Sequence, residues 1–341
     1  MRVSNSLLKW VMSATLFVLL LVAAGTKNAL AQTQVATLQH GEDISVFYGQ
    51  NAFVEAHTSA QTGDIITLSS GTFTPTNITK AITLRGAGCV IDTVTGIYPT
   101  IIPNNFQMNV TNNDAFLTIE GIYFSGTVSY GNLNHPKFIK CNIENLSYCS
   151  GANMQNAQFV NCKVKYFDFY YSSNTTLINC VVWTAYGLGN SGRTVNAYNS
   201  IIRPENSHAS AMNAYNCIII QGGSGVYTYG LQGNSSAYNC IGIGNNALGC
   251  TTFNCLYNRS YSQVFETFTG GNFSFDETFI LKEEIATGFL GNDGTEVGIH
   301  GGIMPYSSRP SYMVIEQCNV ANRSTIDGKL SVEIEVSTQG E

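Results

Sequence analysis

Charge is what this chain has least of. Of its 341 residues, 16 are Lys or Arg and 22 are Asp or Glu, so charged residues make up 11%, against roughly 25% in an ordinary soluble domain. Surface ion pairs therefore cannot hold it together, and without a basic patch it offers nothing to nucleic acid or an anionic membrane. Carboxylates thin out further in the middle, where Glu144, Asp168 and Glu205 are the only ones between Gly121 and Phe265. Glycoside hydrolysis needs a paired acid and base, and a Ca²⁺-dependent lyase needs several carboxylates for the ion. Both chemistries are disfavoured. The ten cysteines contain no CxxC, and His40, His57, His135, His208 and His300 are scattered. No zinc site, metal or cofactor is expected.

Long apolar runs are also missing, with one exception. Residues 1–31 carry Arg2 and Lys9, an apolar stretch from Val11 to Ala24, and a small-x-small ending at Ala29-Leu30-Ala31. That is the layout of a secretory signal peptide, and its core is shorter than the roughly 20 residues of a membrane span. Export with cleavage before Gln32 is expected, to the periplasm, the cell surface or the medium, leaving no span. Loss of Arg2, Lys9 and Lys27 leaves 13 cations against 22 carboxylates, a net −9.

What the chain has in abundance is Asn, 34 residues beside 33 Gly, and one phrase written seven times. It reads KFIKCNIE (137–144), QFVNCKVK (158–165), TLINCVVW (176–183), NAYNSIIR (196–203), NAYNCIII (213–220), SAYNCIGI (236–243) and TTFNCLYN (251–258). Its cysteines, Cys141, Cys162, Cys180, Cys217, Cys240 and Cys255, with Ser200 in one slot, are 21, 18, 20, 17, 23 and 15 residues apart. A recurrence this short, rich in Val, Ile, Tyr, Thr and Asn with period two, predicts a β-solenoid whose coils stack about 4.8 Å apart as a parallel ladder.

Counting the cysteine position as zero, positions −3 and +2 should face inward if the chain bends at −1. That position holds Asn161, Asn179, Asn199, Asn216, Asn239 and Asn254, and Asn tolerates the left-handed backbone such a bend demands. An Asn ladder beside a Cys/Ser ladder is expected, with the cysteines acting as small, buried filler. Position −2 should then face outward and display Tyr198, Tyr215, Tyr238 and Phe253 as a column of rings, candidate contacts for a glycan. Position +1, with Val181, Ile201, Ile218, Ile241 and Leu256, should form an outward apolar stripe. Such a stripe needs a cover, from the C-terminal tail or a second copy of the chain.

At the N-terminal end GDIITLSSGTF (63–73), ITKAITLRGAGCVID (78–92) and FLTIEGIYFSG (116–126) resemble the opening coils of the pectin-lyase-like superfamily of right-handed parallel β-helices. The form they resemble is the exported one common in Bacteroidetes. QNAFVEAHTSAQ (50–61) resembles its capping helix, and GNDGTEVGIHGG (291–302) its closing motif. The resemblance implies an all-β, three-faced solenoid with a signal peptide (1–31), an N-terminal cap (32–62), the β-helix (63–305) and a short β tail (306–341). The tail should hold strands joined by a turn at Asp327-Gly328, with Leu330–Val336 alternating. The superfamily hosts lyases, hydrolases, adhesins and structural modules, so it leaves the function open.

Three functions remain. A non-catalytic, adhesin-like module for a polysaccharide or cell-surface glycan is favoured by the scarcity of carboxylates. A polysaccharide lyase acting on acidic glycans would draw on KVKYFDFYY (163–171), where Lys163, Lys165 and Asp168 are the weak catalytic candidates. A structural component would form a homo-oligomer through the apolar stripe.

Overall fold

The computed structural model describes residues 34–92, 96–110, 116–188, 193–205, 211–224 and 227–309, and the strand backbones 314–320 and 332–337. The expected signal peptide and the Asp327-Gly328 turn lie outside the described residues. No described helix is long and apolar enough to cross a membrane. The chain forms a parallel β-helix of about 9 turns, 49% strand and 7% helix. Two long sheets run its length. Sheet A gathers the strands that lead into each cysteine, and sheet B the strands that follow it. At the start, strand β1 (Val35–His40) pairs antiparallel with both β2 (Asp43–Tyr48) and the first coil strand, Ile65–Leu68. Helix α1 (Ala52–Ser59) closes the interior by burying Ala52, Phe53, Ala56 and His57. The helix falls where it is expected, whereas the β1–β2 hairpin has no counterpart in the sequence reading.

The Asn corner turns one sheet into the other. Asn161, Asn179, Asn199, Asn216, Asn239 and Asn254 all have φ between 45° and 54°, and Lys140 occupies the same corner with φ 51°. With the bend there, Phe138, Phe159, Leu177, Ala197, Ala214 and Ala237 point inward at position −3 and are fully buried. Ile143, Val164, Val182, Ile202 and Ile219 do the same at +2. Shifting the pairing by one residue would expose this whole set, so the apolar pattern pins the register.

The bend also explains the cysteines. It turns the N–H at position 0 away from the backbone ladder, and the side chain of the next coil accepts it instead. Cys162 N–H donates to Cys180 Sγ (3.4 Å), Cys180 N–H to Ser200 Oγ (3.1 Å), Cys217 N–H to Cys240 Sγ (3.4 Å) and Cys240 N–H to Cys255 Sγ (3.4 Å). Each thiol in turn donates to the carbonyl two residues back, as Cys180 does to Ile178 O (3.2 Å) and Cys217 to Tyr215 O (3.1 Å). The position therefore needs a small side chain that both donates and accepts, which Cys and Ser satisfy and Ala does not. The nine cysteines from Cys89 to Cys255 are free thiols, and burial raises the pKa of Cys162 and Cys240.

Asparagine side chains do stack in ladders, though the direct amide-to-amide bonds fall in other columns. Asn174 Nδ2 donates to Asn156 Oδ1 at 2.6 Å, and Asn213 Nδ2 to Asn196 Oδ1 at 3.0 Å. The corner amides instead hold the chain that follows the solenoid. Asn179 Nδ2 donates to the carbonyls of Ile299 (2.8 Å) and Gly301 (2.7 Å), and Asn216 Nδ2 to Asn292 Oδ1 (3.0 Å).

The coil strands end at Arg259, short of the expected residue 305. From Tyr261 to Tyr306 the chain doubles back along the outside of sheet B as a strap. Its Val264, Phe265, Phe268, Phe279, Leu281, Val297 and Ile299 pack on Val181, Trp183, Ile201, Ile218, Ile220, Ile241 and Ile243 in a second core. The apolar stripe at position +1 is therefore covered by this chain itself, from a segment that precedes the tail. Each large strap side chain buried there contributes roughly 1.5–3 kcal/mol before the entropy of ordering the strap is deducted. Beyond the strap, Val314–Val320 and Val332–Ser337 form a separate antiparallel pair.

The thiol ladder predicts a sharp contrast at Cys180. Cys180→Ser keeps donor and acceptor and should change stability by less than about 1 kcal/mol. Cys180→Ala strands the buried Cys162 N–H and should destabilise by about 1–3 kcal/mol in urea unfolding. Equal effects of the two variants would rule out the hydrogen-bonding role.

Candidate functional site

Beside the strap, sheet B has an open stretch. There, Asn105, Ser125, Gly126, Thr127, Glu144, Asn145, Lys165, Tyr166 and Thr184 line a cleft of about 480 Å³. Four of them form one column across successive coils, because Thr127, Asn145, Tyr166 and Thr184 are register partners. The cleft is concave because the strands bulge beside it. Register shifts fall between Ile143 and Asn145 and between Val182 and Ala185, and bulges bend a strand out of line. Gly126 allows the close approach, since a Cβ there would meet the Asn104 carbonyl oxygen at 2.2 Å. The polar side chains brace one another. Thr127 N–H donates to Asn105 Oδ1 (3.1 Å), and Asn145 Nδ2 to Thr127 Oγ1 (3.3 Å).

Glu144 is the one carboxylate lining the cleft. Lys165 Nζ donates to its Oε2 (2.7 Å) and Tyr123 Oη to its Oε1 (3.1 Å). Burial, and then the Glu144 charge, push the Tyr123 phenol up to about 12. With Lys165 half exposed, the ion pair itself contributes at most about 1 kcal/mol. Its effect is to occupy both partners.

Beyond the cleft lies a rim of tyrosines around Asp168, which pairs across the ladder with Tyr186. Tyr166 and Tyr186 stack with centroids 6.1 Å apart, while Tyr148 meets Tyr171 edge-on at 4.6 Å. The Arg193 guanidinium lies 5.0 Å from the Tyr171 ring centre. Tyr148, Tyr170 and Tyr186 stay 38–43% exposed. Burial raises the Asp168 carboxyl, and the Tyr170 N–H donating to its Oδ1 (2.9 Å) opposes that shift. The third carboxylate, Glu205, is paired with Arg203 and accepts from Gly223 N–H (2.9 Å). Each of the three carboxylates thus has its own partners. No described group of His, Cys, Asp or Glu could hold a metal ion.

The structure separates the residues singled out in the sequence. Lys165 lines the cleft and Asp168 sits under the tyrosine rim. Lys163 is buried beneath the strap, where Nζ donates to the carbonyls of Phe275 and Glu277 at 2.7 Å each, with the ring of Tyr306 at 4.8 Å. It fastens the strap and is closed to a ligand. Tyr198, Tyr215, Tyr238 and Phe253 form the outward column, stacked at 5.1, 4.8 and 4.7 Å with interplanar angles of 9°, 6° and 5°. Stacking has a consequence for binding: each inner ring spends both faces on its neighbours and shows solvent only its edge and hydroxyl. Sugar rings pack on aromatic faces, so the column offers no flat track. Tyr148 and Tyr186 escaped sequence reasoning because they lie outside the repeated phrase. The aromatic run 166–171 signalled Tyr166, Tyr170 and Tyr171.

Compared with known proteins, the chain matches no family model, no curated protein and no solved structure. Its class is the one the fold defines, a parallel β-helix with an open polar cleft.

Lys163 carries a pH signature. Burial lowers its pKa from 10.5 to about 8, so the unfolded chain holds this proton more tightly than the folded one. Unfolding between about 8 and 10.5 takes up a proton, and the stability contributed at this site rises with pH across that window. Lys163→Met should lack the rise, so the urea midpoint of the native protein should gain on the variant as pH climbs. Parallel curves would contradict the assignment.

Proposed function

We propose that this protein is an exported parallel β-helix of the right-handed, pectin-lyase-like kind that binds a glycan without cleaving it. The cleft of Asn105, Thr127, Glu144, Asn145, Lys165, Tyr166 and Thr184 receives one or two sugar units, and the tyrosine rim carries the chain onward. The observation that carries this reading is the juxtaposition itself. A concave patch rich in amides and hydroxyls continues into part-exposed tyrosine rings, a combination that suits a molecule with hydroxylated edges and apolar ring faces. Export is supported by the sequence of residues 1–31. The pairing of Glu144 with both Lys165 and Tyr123 supports binding over hydrolysis, for which a second carboxylate would be needed.

One observation favours a second reading, a lyase of acidic glycans: an amine and a phenol, Lys165 and Tyr166, line the same cleft. Release of Lys165 from Glu144 on substrate binding would be required before it could act as a base.

One set of measurements separates the two. The mature chain is screened on neutral and uronic-acid polysaccharides, and titration calorimetry then follows the best ligand. Tyr166→Ala and Tyr170→Ala should each weaken binding by roughly tenfold or more, while Tyr215→Ala in the stacked column leaves it unchanged. No saccharide binding, or equal losses in all three variants, would overturn the cleft. A rise in the ultraviolet absorbance of an unsaturated product, abolished by Lys165→Ala, would establish the lyase instead.

A further inference from the structure

Among the described residues, sheet A ends at both extremities in a strand with one unpaired edge. At one end it is β2, and at the other the last coil strand, Leu248–Phe253. Six residues make up each. Neither is guarded in the usual way: DISVFY has a single charge, at its first residue, and LGCTTF has none, and neither holds a proline. Both end strands leave apolar groups in solvent on the outer face of the sheet. Ile44, Val46 and Tyr48 are 66%, 44% and 67% exposed, and Phe253, the last ring of the stacked column, is 50% exposed. On the inner face Thr252 is only half-buried, whereas Ala237, its partner one coil earlier, is fully buried.

Strand direction decides what fits. Strand β2 is antiparallel to β1, and β1 is antiparallel to the first coil strand, so β2 runs the same way as every coil strand of sheet A. A second copy shifted along the solenoid axis therefore brings its β2 beside Leu248–Phe253 in the parallel orientation that the sheet uses throughout. The apolar side chains then meet on the matching face, with Ile44, Val46 and Tyr48 continuing the column that stops at Phe253. Among the described strands none fills the gap, because Val314–Val320 and Val332–Ser337 pair with each other in a sheet of their own.

We propose that copies of this protein associate head to tail, β2 of one on Leu248–Phe253 of the next, extending sheet A through the junction. A contact of this kind joins two different patches and does not close on itself, so it propagates into filaments.

Sedimentation velocity on the mature chain over a range of concentrations tests this. The mass should climb with concentration through successive multiples of the monomer. Val46→Lys blocks one end and Thr251→Lys the other, both at exposed positions, with circular dichroism and thermal melts checking that each is folded. Alone, each should associate at least roughly tenfold more weakly than the native protein. Mixed in equal amounts they should give a one-to-one dimer and nothing longer, because each variant keeps the end its partner has lost. Three results would overturn the proposal: a monomer at all concentrations, full dimerisation of Val46→Lys alone, which would mean tail-to-tail pairing, or a mixture that stays monomeric.

Discussion

A left-handed backbone corner, repeated at every turn, is the constraint on which the rest of this molecule depends. L-residues resist that conformation by roughly 1–2 kcal/mol, and Asn resists it less than most. Placing Asn at one point of each coil makes the bend affordable and fixes where one sheet ends and the other begins. Three consequences follow from the same corner. The inward set at positions −3 and +2 comes into register, one N–H per coil leaves the backbone ladder, and a column of amides is left pointing outward. The thiol ladder answers the second of these, and the strap answers the third.

The strap shows how a protein poor in charge can still be built as a layered solid. Sheet B carries an aliphatic stripe that water would not tolerate, and residues 261–306 bury it under Phe265, Phe268, Phe279 and their neighbours. Attachment is polar at the edges, through Lys163 on one side and Asn179, Asn199 and Asn216 on the other. The strap runs over the position +1 column as far as Lys163 and Tyr123 and leaves the neighbouring column of Thr127, Asn145, Tyr166 and Thr184 open, so it also decides where a ligand can reach. The cleft around Glu144 lies where the cover stops.

A functional reading based on the strongest sequence signal would have rested on the wrong rings. Tyr198, Tyr215 and Tyr238 recur in the phrase, but a repeat stacks like on like, and stacked rings consume each other's faces. The tyrosines left to bind are those outside the repeated phrase, Tyr148, Tyr170 and Tyr186, which stay part-exposed. In a solenoid, regularity marks scaffold, and departures from it mark surface that is available for other work.

The seven copies of the phrase, with Asn at −1 and period two on either side, determined the β-helix, its register and the buried face of each strand. Those features follow from local backbone preference and from burial of alternate residues, both written along the chain. Three others were decided only in three dimensions. Residues 261–306 were legible as apolar but not as a cover, because nothing local says which distant stripe they meet. The Glu144–Lys165 pair spans 21 positions, one coil of the ladder, and depends on a bulge that no residue type announces. The fate of Lys163, two residues from Lys165 on the same strand yet sealed beneath the strap, turned on how far along that strand the returning chain reaches.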